Sequence, residues 1–122
     1  MILNCFMVGI GGFFGSVCRY LVGLLPVEAG QGFPIKTLCI NVLGAFAISV
    51  ITAMAAKNKS VSPELVLMLR VGICGGFTTF STFAYESVDL IKSGGAGVAL
   101  TYICASVILS ILAVFAGQAL VK

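Results

Sequence analysis

Charged residues are scarce in this chain. Only 9% of its 122 residues are Asp, Glu, Lys or Arg, whereas a soluble domain carries about 25%. Histidine is absent, hydrophobic residues make up 60% of the chain, and the mean hydropathy is +1.18. This composition excludes an ordinary soluble domain and indicates a membrane protein.

The cysteines and the missing histidine exclude two further classes of site. Cysteine occurs at wide spacings within apolar stretches, with no CxxC pair and no histidine to complete a zinc site. We therefore expect these residues to pack as small hydrophobic side chains. The sequence also lacks a paired central carboxylate and a nucleophile beside a base, so it does not predict an enzyme. The five cysteines are Cys5, Cys18, Cys39, Cys74 and Cys104.

Four apolar segments are each long enough to cross a bilayer, which takes about 20 residues. They cover residues 4–25, 33–56, 64–91 and 97–121 and leave almost nothing for a soluble domain. Ser62 and Pro63 are placed as the N-cap and first residue of the third helix. The first segment has no basic leader, so we expect it to stay in the mature chain. The prediction is an all-α membrane protein with one four-helix domain, residues 1–122.

Lys and Arg are almost evenly divided between the two sides of the predicted bundle. Four lie on or near the side of the termini and three on or near the other. Because a cytoplasmic side usually holds an excess of these residues, we expect insertion in both orientations and an antiparallel, dual-topology homodimer. The net charge of +3 forms no basic surface for nucleic acid. The first group is Lys57, Lys59, Arg70 and Lys122, and the second is Arg19, Lys36 and Lys92.

The first segment combines small residues with one cation. Gly11 and Gly15 lie four residues apart, and Arg19 follows after four more. The two glycines predict a smooth helix face that admits a close neighbour. Arg19 is interpreted either as an interface anchor whose charge reaches the headgroups or as a cation that draws anions into a vestibule.

Isolated polar residues mark the second and fourth segments. Asn41, one turn after Thr37, must find partners in lipid, so it faces either another helix or a watery path. Tyr102, Ser106 and Ser110 recur every four residues and form one hydroxyl stripe along a helix. Each serine alone could bond to its own helix backbone. Three hydroxyls in register favour a polar path.

The stretch "GICGGFTTFSTFAYES", residues 72–87, predicts a broken third helix. Gly75 and Gly76 weaken the helix near its middle, and the two following threonines can cap a restarted helix. Irregular backbone at membrane depth is tolerated where protein buries it or where it lines a cavity. Phe80 and Phe83 follow on one face, where their ring edges could face an anion. The alternative is that both rings only pack.

These motifs resemble those of the Fluc (CrcB) family of fluoride channels. The matching stretches are "GGFFGSVCRY", "NVLGAF" and "GGFTTFSTFAYE", in order and in successive spans. The resemblance implies a fluoride-selective passive channel built as an antiparallel dimer with two pores, in the cell membrane and, for a bacterium, in its inner membrane. The implied partners are the fluoride ion, an oppositely oriented copy and the bilayer.

The resemblance also implies roles for individual residues. Phe80 and Phe83 would form an aromatic box whose ring edges contact fluoride, and the NH2 of Asn41 would donate to the ion. Gly75 and Thr78 would offer backbone carbonyls to a structural sodium ion at the dimer centre, while Arg19 would lie near the aqueous entrance. A polar track that replaces lost hydration would comprise Thr37, Tyr102, Ser106 and Ser110.

A proton-coupled exporter of the small multidrug-resistance type is the main alternative, since it too has four short spans and dual topology. Such an exporter needs a carboxylate embedded in the first span, and residues 4–25 contain none. Glu86 and Asp89 lie late in the third span, where a vestibule or helix-end position is expected. A structural membrane subunit without transport activity is the remaining alternative.

Overall fold

The computed structural model describes all residues from Met1 to Lys122 and is entirely helical. The first helix, α1, covers Ile2–Gly23, and α2 covers Ile35–Lys57. α3 runs over residues 63–77, α4 covers Phe80–Lys92, and α5 covers Ala96–Leu120. Four segments are long and apolar enough to cross a membrane, with α3 and α4 together forming the third. The chain is a multi-pass membrane protein.

Bilayer thickness and turn chemistry set the helix ends. α1 begins and ends two residues before the predicted segment 4–25, while α5 is displaced by one residue from 97–121. Ser62 accepts a hydrogen bond from the Leu65 N–H at 3.2 Å, and Pro63 is the first helical residue, as predicted. These ends depend on local signals that a sequence carries directly.

The backbones of α1 and α3 touch along a line of glycines. Gly11 and Gly15 are buried, and a Cβ atom on either would collide with a carbonyl oxygen of α3, from Met68 or Ile73. A Cβ on Gly76 would lie 2.7 Å from the Gly12 carbonyl oxygen. The predicted smooth face of α1 is therefore a helix contact that tolerates no side chain.

α3 changes its winding where it meets α1. The helix is α-helical over Pro63–Leu67, π-helical over Met68–Cys74 and α-helical again over Gly75–Phe77. A π-helical turn is wider than an α-helical one and frequently occurs near functional sites. In this chain only the last three residues of α3, Gly75–Phe77, follow it.

The packed core joins α2, α4 and α5 and contains few side chains. Its buried members are Leu38, Phe83, Leu90, Ala99 and Tyr102. Only 16 of the 122 residues are buried, which leaves large apolar faces that must contact lipid or another protein chain.

Candidate functional site

The centre of the site is an interruption between α3 and α4. Thr78 and Thr79 have extended backbone, with φ/ψ of −81°/158° and −150°/120°. Thr79 caps α4, because its Oγ1 accepts a hydrogen bond from the Thr82 N–H at 3.2 Å. The glycines predicted as the weak point remain helical. The non-helical residues are the threonines, and Gly76 instead provides room for α1.

Asn41 of α2 binds both backbone groups of Thr79. Its Oδ1 accepts from the Thr79 N–H at 2.8 Å, and its Nδ2 donates to the Thr79 carbonyl at 3.0 Å. In a continuous helix the Thr79 N–H would donate to the carbonyl of Gly75, four residues earlier. The Asn41 amide thus replaces a helical hydrogen bond at the interruption.

Arg19 of α1 binds a second backbone group there. Its Nε donates to the Gly76 carbonyl at 3.2 Å, and this carbonyl would otherwise accept from the N–H of Phe80. The side chain is half-buried and bordered by an open cavity. Arg19 therefore provides a hydrogen-bond donor to a backbone carbonyl at the interruption. Neither interpretation of Arg19 from the sequence included this contact.

Two carbonyls at the interruption lose their helical donors and receive no side-chain donor in exchange. The Thr79 N–H, the helical partner of Gly75, goes to Asn41, and the Thr82 N–H, the helical partner of Thr78, goes to Thr79 Oγ1. No side chain donates to either carbonyl oxygen; the side-chain donors here go to the carbonyls of Cys74, Gly76 and Thr79. Exposed carbonyl oxygens are ligands for a hard cation.

A groove of about 410 Å³ runs beside the interruption, between α2, the third span and α5. Its lining contains no ionisable group other than the thiol of Cys74. Seven of the residues singled out from the sequence line this groove together: Asn41, Gly75, Thr78, Phe80, Phe83, Ser106 and Ser110. The structure therefore brings residues from three spans to one surface.

The two aromatic residues differ sharply in exposure. Phe80 is 79% exposed, whereas Phe83 is only 9% exposed. Their ring centroids lie 5.6 Å apart with the planes inclined at 57°. The Phe83 ring also meets Tyr102 at 5.2 Å in an edge arrangement. Phe83 is held from both sides, while Phe80 projects from the groove.

The hydroxyl stripe of α5 occupies three environments. Tyr102 is fully buried, with 0% exposure, and does not line the groove. Ser106 is buried, and its Oγ has no hydrogen-bond partner within the chain. Ser110 is half-buried and lines the groove. A buried hydroxyl without a partner is unusual in proteins, and Ser106 is the member of the stripe that has one.

A second cavity of about 530 Å³, here called the vestibule, opens beside the α1–α2 connection. It contains Arg19, Lys36, Glu28 and Glu86, so its charge is mixed. The Lys36 ammonium donates to the carbonyls of Gly23 at 2.9 Å and Leu25 at 3.3 Å, at the end of α1. Charged side chains therefore border the vestibule and not the groove.

Glu86 is a functional candidate that the sequence did not resolve. Its Oε2 accepts from Thr37 Oγ1 at 3.1 Å, and its Oε1 accepts from the Tyr102 hydroxyl at 3.0 Å. Glu86 thus joins α2 and α5 through α4. From the sequence, its position late in the third span predicted only a vestibule or helix-end position, and Glu86 does line the vestibule.

The two cavities meet at one residue. Thr79 lines both, while Thr37 and Arg19 belong to the vestibule and are absent from the groove. The polar residues predicted as one track are therefore divided between two cavities, with Tyr102 buried between Phe83 and Glu86. The backbone interruption is the element that connects them.

Comparison with known proteins identifies the family of this chain. The sequence profile of the family described as "CrcB-like protein, Camphor Resistance (CrcB)" matches residues 6–118. The chain belongs to this family. Fluoride-specific ion channel FluC of Chlorobaculum tepidum is 44% identical over 119 residues, covering 98% of this chain and 94% of the relative.

Two further relatives of the family bear the same description. Fluoride-specific ion channel FluC of Rhizobium meliloti is 46% identical over 117 residues, covering 95% of this chain and 94% of the relative. The protein of that name from Methanopyrus kandleri is 44% identical over 113 residues, covering 92% and 84%. The similarity therefore extends through all four apolar segments.

Proposed function

We propose that this protein is a fluoride-selective, passive ion channel. The observation that carries the proposal is the groove at the interruption, whose side chains offer neutral donors and ring edges but no charged group. Fluoride is small and strongly hydrated, so a pore must replace its hydration without a full cation that would trap it. The description of the relatives as fluoride-specific ion channels supports the same conclusion.

Four groups of the groove can bind the anion. The edges of Phe80 and Phe83 are electropositive, and Ser106 has a hydroxyl without a partner. Asn41 uses one of its two N–H donors on Thr79, which leaves the other for fluoride. Ser110 extends this set along α5.

Thr37 and Tyr102 form the part of the path nearer the vestibule. Each hydroxyl has one proton, and both protons are donated to Glu86. Either hydroxyl must therefore release Glu86 before it donates to fluoride. Arg19 and Lys36 border the entrance, where positive charge raises the local concentration of anions.

The working unit is an antiparallel homodimer with a pore on each side of the subunit interface. Phe80 is 79% exposed at the open side of the groove, and the open side requires a protein surface to separate fluoride from lipid. The nearly equal distribution of Lys and Arg permits both orientations. The occupant of the open side is a second, oppositely oriented copy.

A structural sodium ion fits the interruption. The carbonyls of Gly75 and Thr78 have lost their helical donors, and the chain has no cluster of His, Cys, Asp or Glu side chains that would bind a metal instead. Two copies would contribute four such oxygens. A bound sodium ion would supply fixed positive charge that neutralises the carbonyl dipoles and lowers the cost of a nearby anion.

In a bacterial cell this channel belongs in the inner membrane, where it exports fluoride that entered as the neutral acid and dissociated inside. Proton-coupled export of cationic drugs is not supported, because α1 contains no carboxylate. The groove likewise offers no carboxylate to a cationic substrate.

Fluoride efflux from liposomes tests the proposal. The purified protein should release fluoride down its gradient, with little chloride release and no dependence on an imposed proton gradient. Ser106→Ala should slow efflux because it removes the hydroxyl that lacks a partner. Thr101→Ala on the same helix is the matched control, since that hydroxyl is exposed and bonds to its own helix at Gly97. Obligatory proton coupling, or equal fluoride and chloride efflux, would contradict the proposal.

A further inference from the structure

The carbonyls at the interruption fall into two classes. Gly76 and Thr79 are bound by side chains of other helices, from Arg19 and Asn41. Gly75 and Thr78 receive no such donor. Within residues 75–79, side chains of α1 and α2 thus occupy two carbonyl oxygens and leave those of Gly75 and Thr78 without a side-chain donor.

We infer that Asn41 is a positioning residue for the cation site, because its Oδ1 holds the Thr79 N–H away from the Gly75 carbonyl. The inference rests on the proposed function, which places a cation at the interruption. It assigns Asn41 a task separate from donation to fluoride. Arg19 assists by occupying the Gly76 carbonyl, which removes a competing oxygen.

The geometry of a helix explains why this task is needed. In an α-helix, each carbonyl accepts from the N–H four residues later, and an unpaired backbone donor is costly inside a membrane. Without Asn41, the Thr79 N–H would be left to form the ordinary helical hydrogen bond with the Gly75 carbonyl. That bond would favour a continuous helix through residues 75–79. The 2.8 Å bond to Oδ1 satisfies that donor and keeps the Gly75 oxygen free.

The two halves of the Asn41 amide therefore act on different ligands. Oδ1 accepts from the Thr79 N–H and so keeps the Gly75 carbonyl free for the cation. Nδ2 donates one N–H to the Thr79 carbonyl and has a second N–H left for the groove. Aspartate at this position keeps an acceptor for the Thr79 N–H but loses both N–H donors. Alanine loses acceptor and donors together.

The experiment measures stabilisation by sodium, a readout independent of transport. Dimer in detergent is heated in NaCl or in N-methylglucamine chloride at constant ionic strength, and the surviving dimer is quantified by size exclusion across a sodium titration. Asn41→Ala should raise the half-stabilising sodium concentration at least tenfold, whereas Asn41→Asp should keep it within threefold of the unchanged protein. Ser106→Ala is the control, with slowed fluoride efflux and an unchanged sodium titration.

Each outcome decides the inference. An Asn41→Ala titration equal to that of the unchanged protein overturns it, as does absence of any sodium effect on the unchanged protein. If Asn41→Ala does not yield dimer, the decision falls to Asn41→Asp, and loss of its sodium stabilisation overturns the inference. Failure of the proposed function is visible separately, as absent fluoride efflux from a protein whose sodium titration is normal.

Discussion

Replacing the two groove phenylalanines by isoleucine separates packing from ion binding. Isoleucine preserves most of the apolar volume, and such exchanges usually cost less than about 1.5 kcal/mol of stability. Phe83 contacts the rings of both Phe80 and Tyr102, and each aromatic pair contributes about 0.5–1.5 kcal/mol beyond buried area. We therefore expect Phe83→Ile to cost about 1–3 kcal/mol in unfolding free energy and Phe80→Ile, which loses one exposed pair, about half of that.

The two substitutions should affect fluoride transport more strongly than stability, and by nearly equal amounts. If a ring edge stabilises the passing anion by about 2 kcal/mol, on the scale of other ion–ring contacts, its loss slows efflux about 30-fold. Phe80 is 79% exposed at the open side of the groove. It should therefore lose nearly as much flux as Phe83 despite its smaller effect on stability.

Phe77 provides the control for this comparison. It ends α3 before the interruption, packs near Gly44 and does not line the groove. The assay is fluoride efflux from liposomes for Phe→Ile at positions 77, 80 and 83, with dimer content checked by size exclusion. Near-normal efflux through both the Phe80 and Phe83 variants would refute ion binding by the rings and leave Asn41 and Ser106 as the principal ligands.

Three further changes test the fold and the dimer. Tags at one terminus should be accessible from both sides of the membrane, and a single orientation of the unmodified protein would contradict dual topology. Two lysines added to the 58–62 loop should bias insertion and reduce fluoride transport unless an oppositely biased copy is supplied. Gly15→Leu should abolish stable dimer because the side chain meets the α3 backbone, whereas Gly9→Leu, with open space around it, should be tolerated. Glu86→Gln should lower stability by about 1–3 kcal/mol because one amide oxygen cannot replace two carboxylate acceptors, measured by thermal unfolding; unchanged stability contradicts the pairing with Thr37 and Tyr102.

The sequence predicted features that depend on local chemistry. The lengths of the apolar segments were enough to locate the four membrane spans. The prediction of Ser62 as a helix N-cap was correct because capping involves residues only three apart. The Gly11 and Gly15 face was recognisable for the same reason, since helical periodicity alone places both residues on one side. Their exact partner, the carbonyls of α3, depended on the packed structure.

Long-range pairing was not predictable from one sequence. Asn41 and Thr79 are 38 positions apart, and Thr37 and Glu86 are 49 apart. The sequence indicated that a buried amide needs a partner, but several hydroxyls and backbone groups were equally eligible. The same need for long-range information explains why the break in the third helix lies later than predicted. Gly75 and Gly76 are locally the weakest helix formers, but the hydrogen bond from Thr79 to Asn41 places the extended backbone at Thr79.

The separation of charged and neutral groups explains how one short chain can both attract and release an anion. Arg19, Lys36 and Glu86 border the vestibule, where water reduces the strength of each charge. In the groove the same charge would act in a medium of low dielectric constant and hold fluoride too firmly to conduct. Arg19 lines the vestibule and not the groove, and its Nε donates to the Gly76 carbonyl at the interruption. In the proposed channel, the interrupted helix would keep Arg19 close enough to the fluoride path to attract the ion, while the Gly76 carbonyl would limit how far Arg19 can follow it.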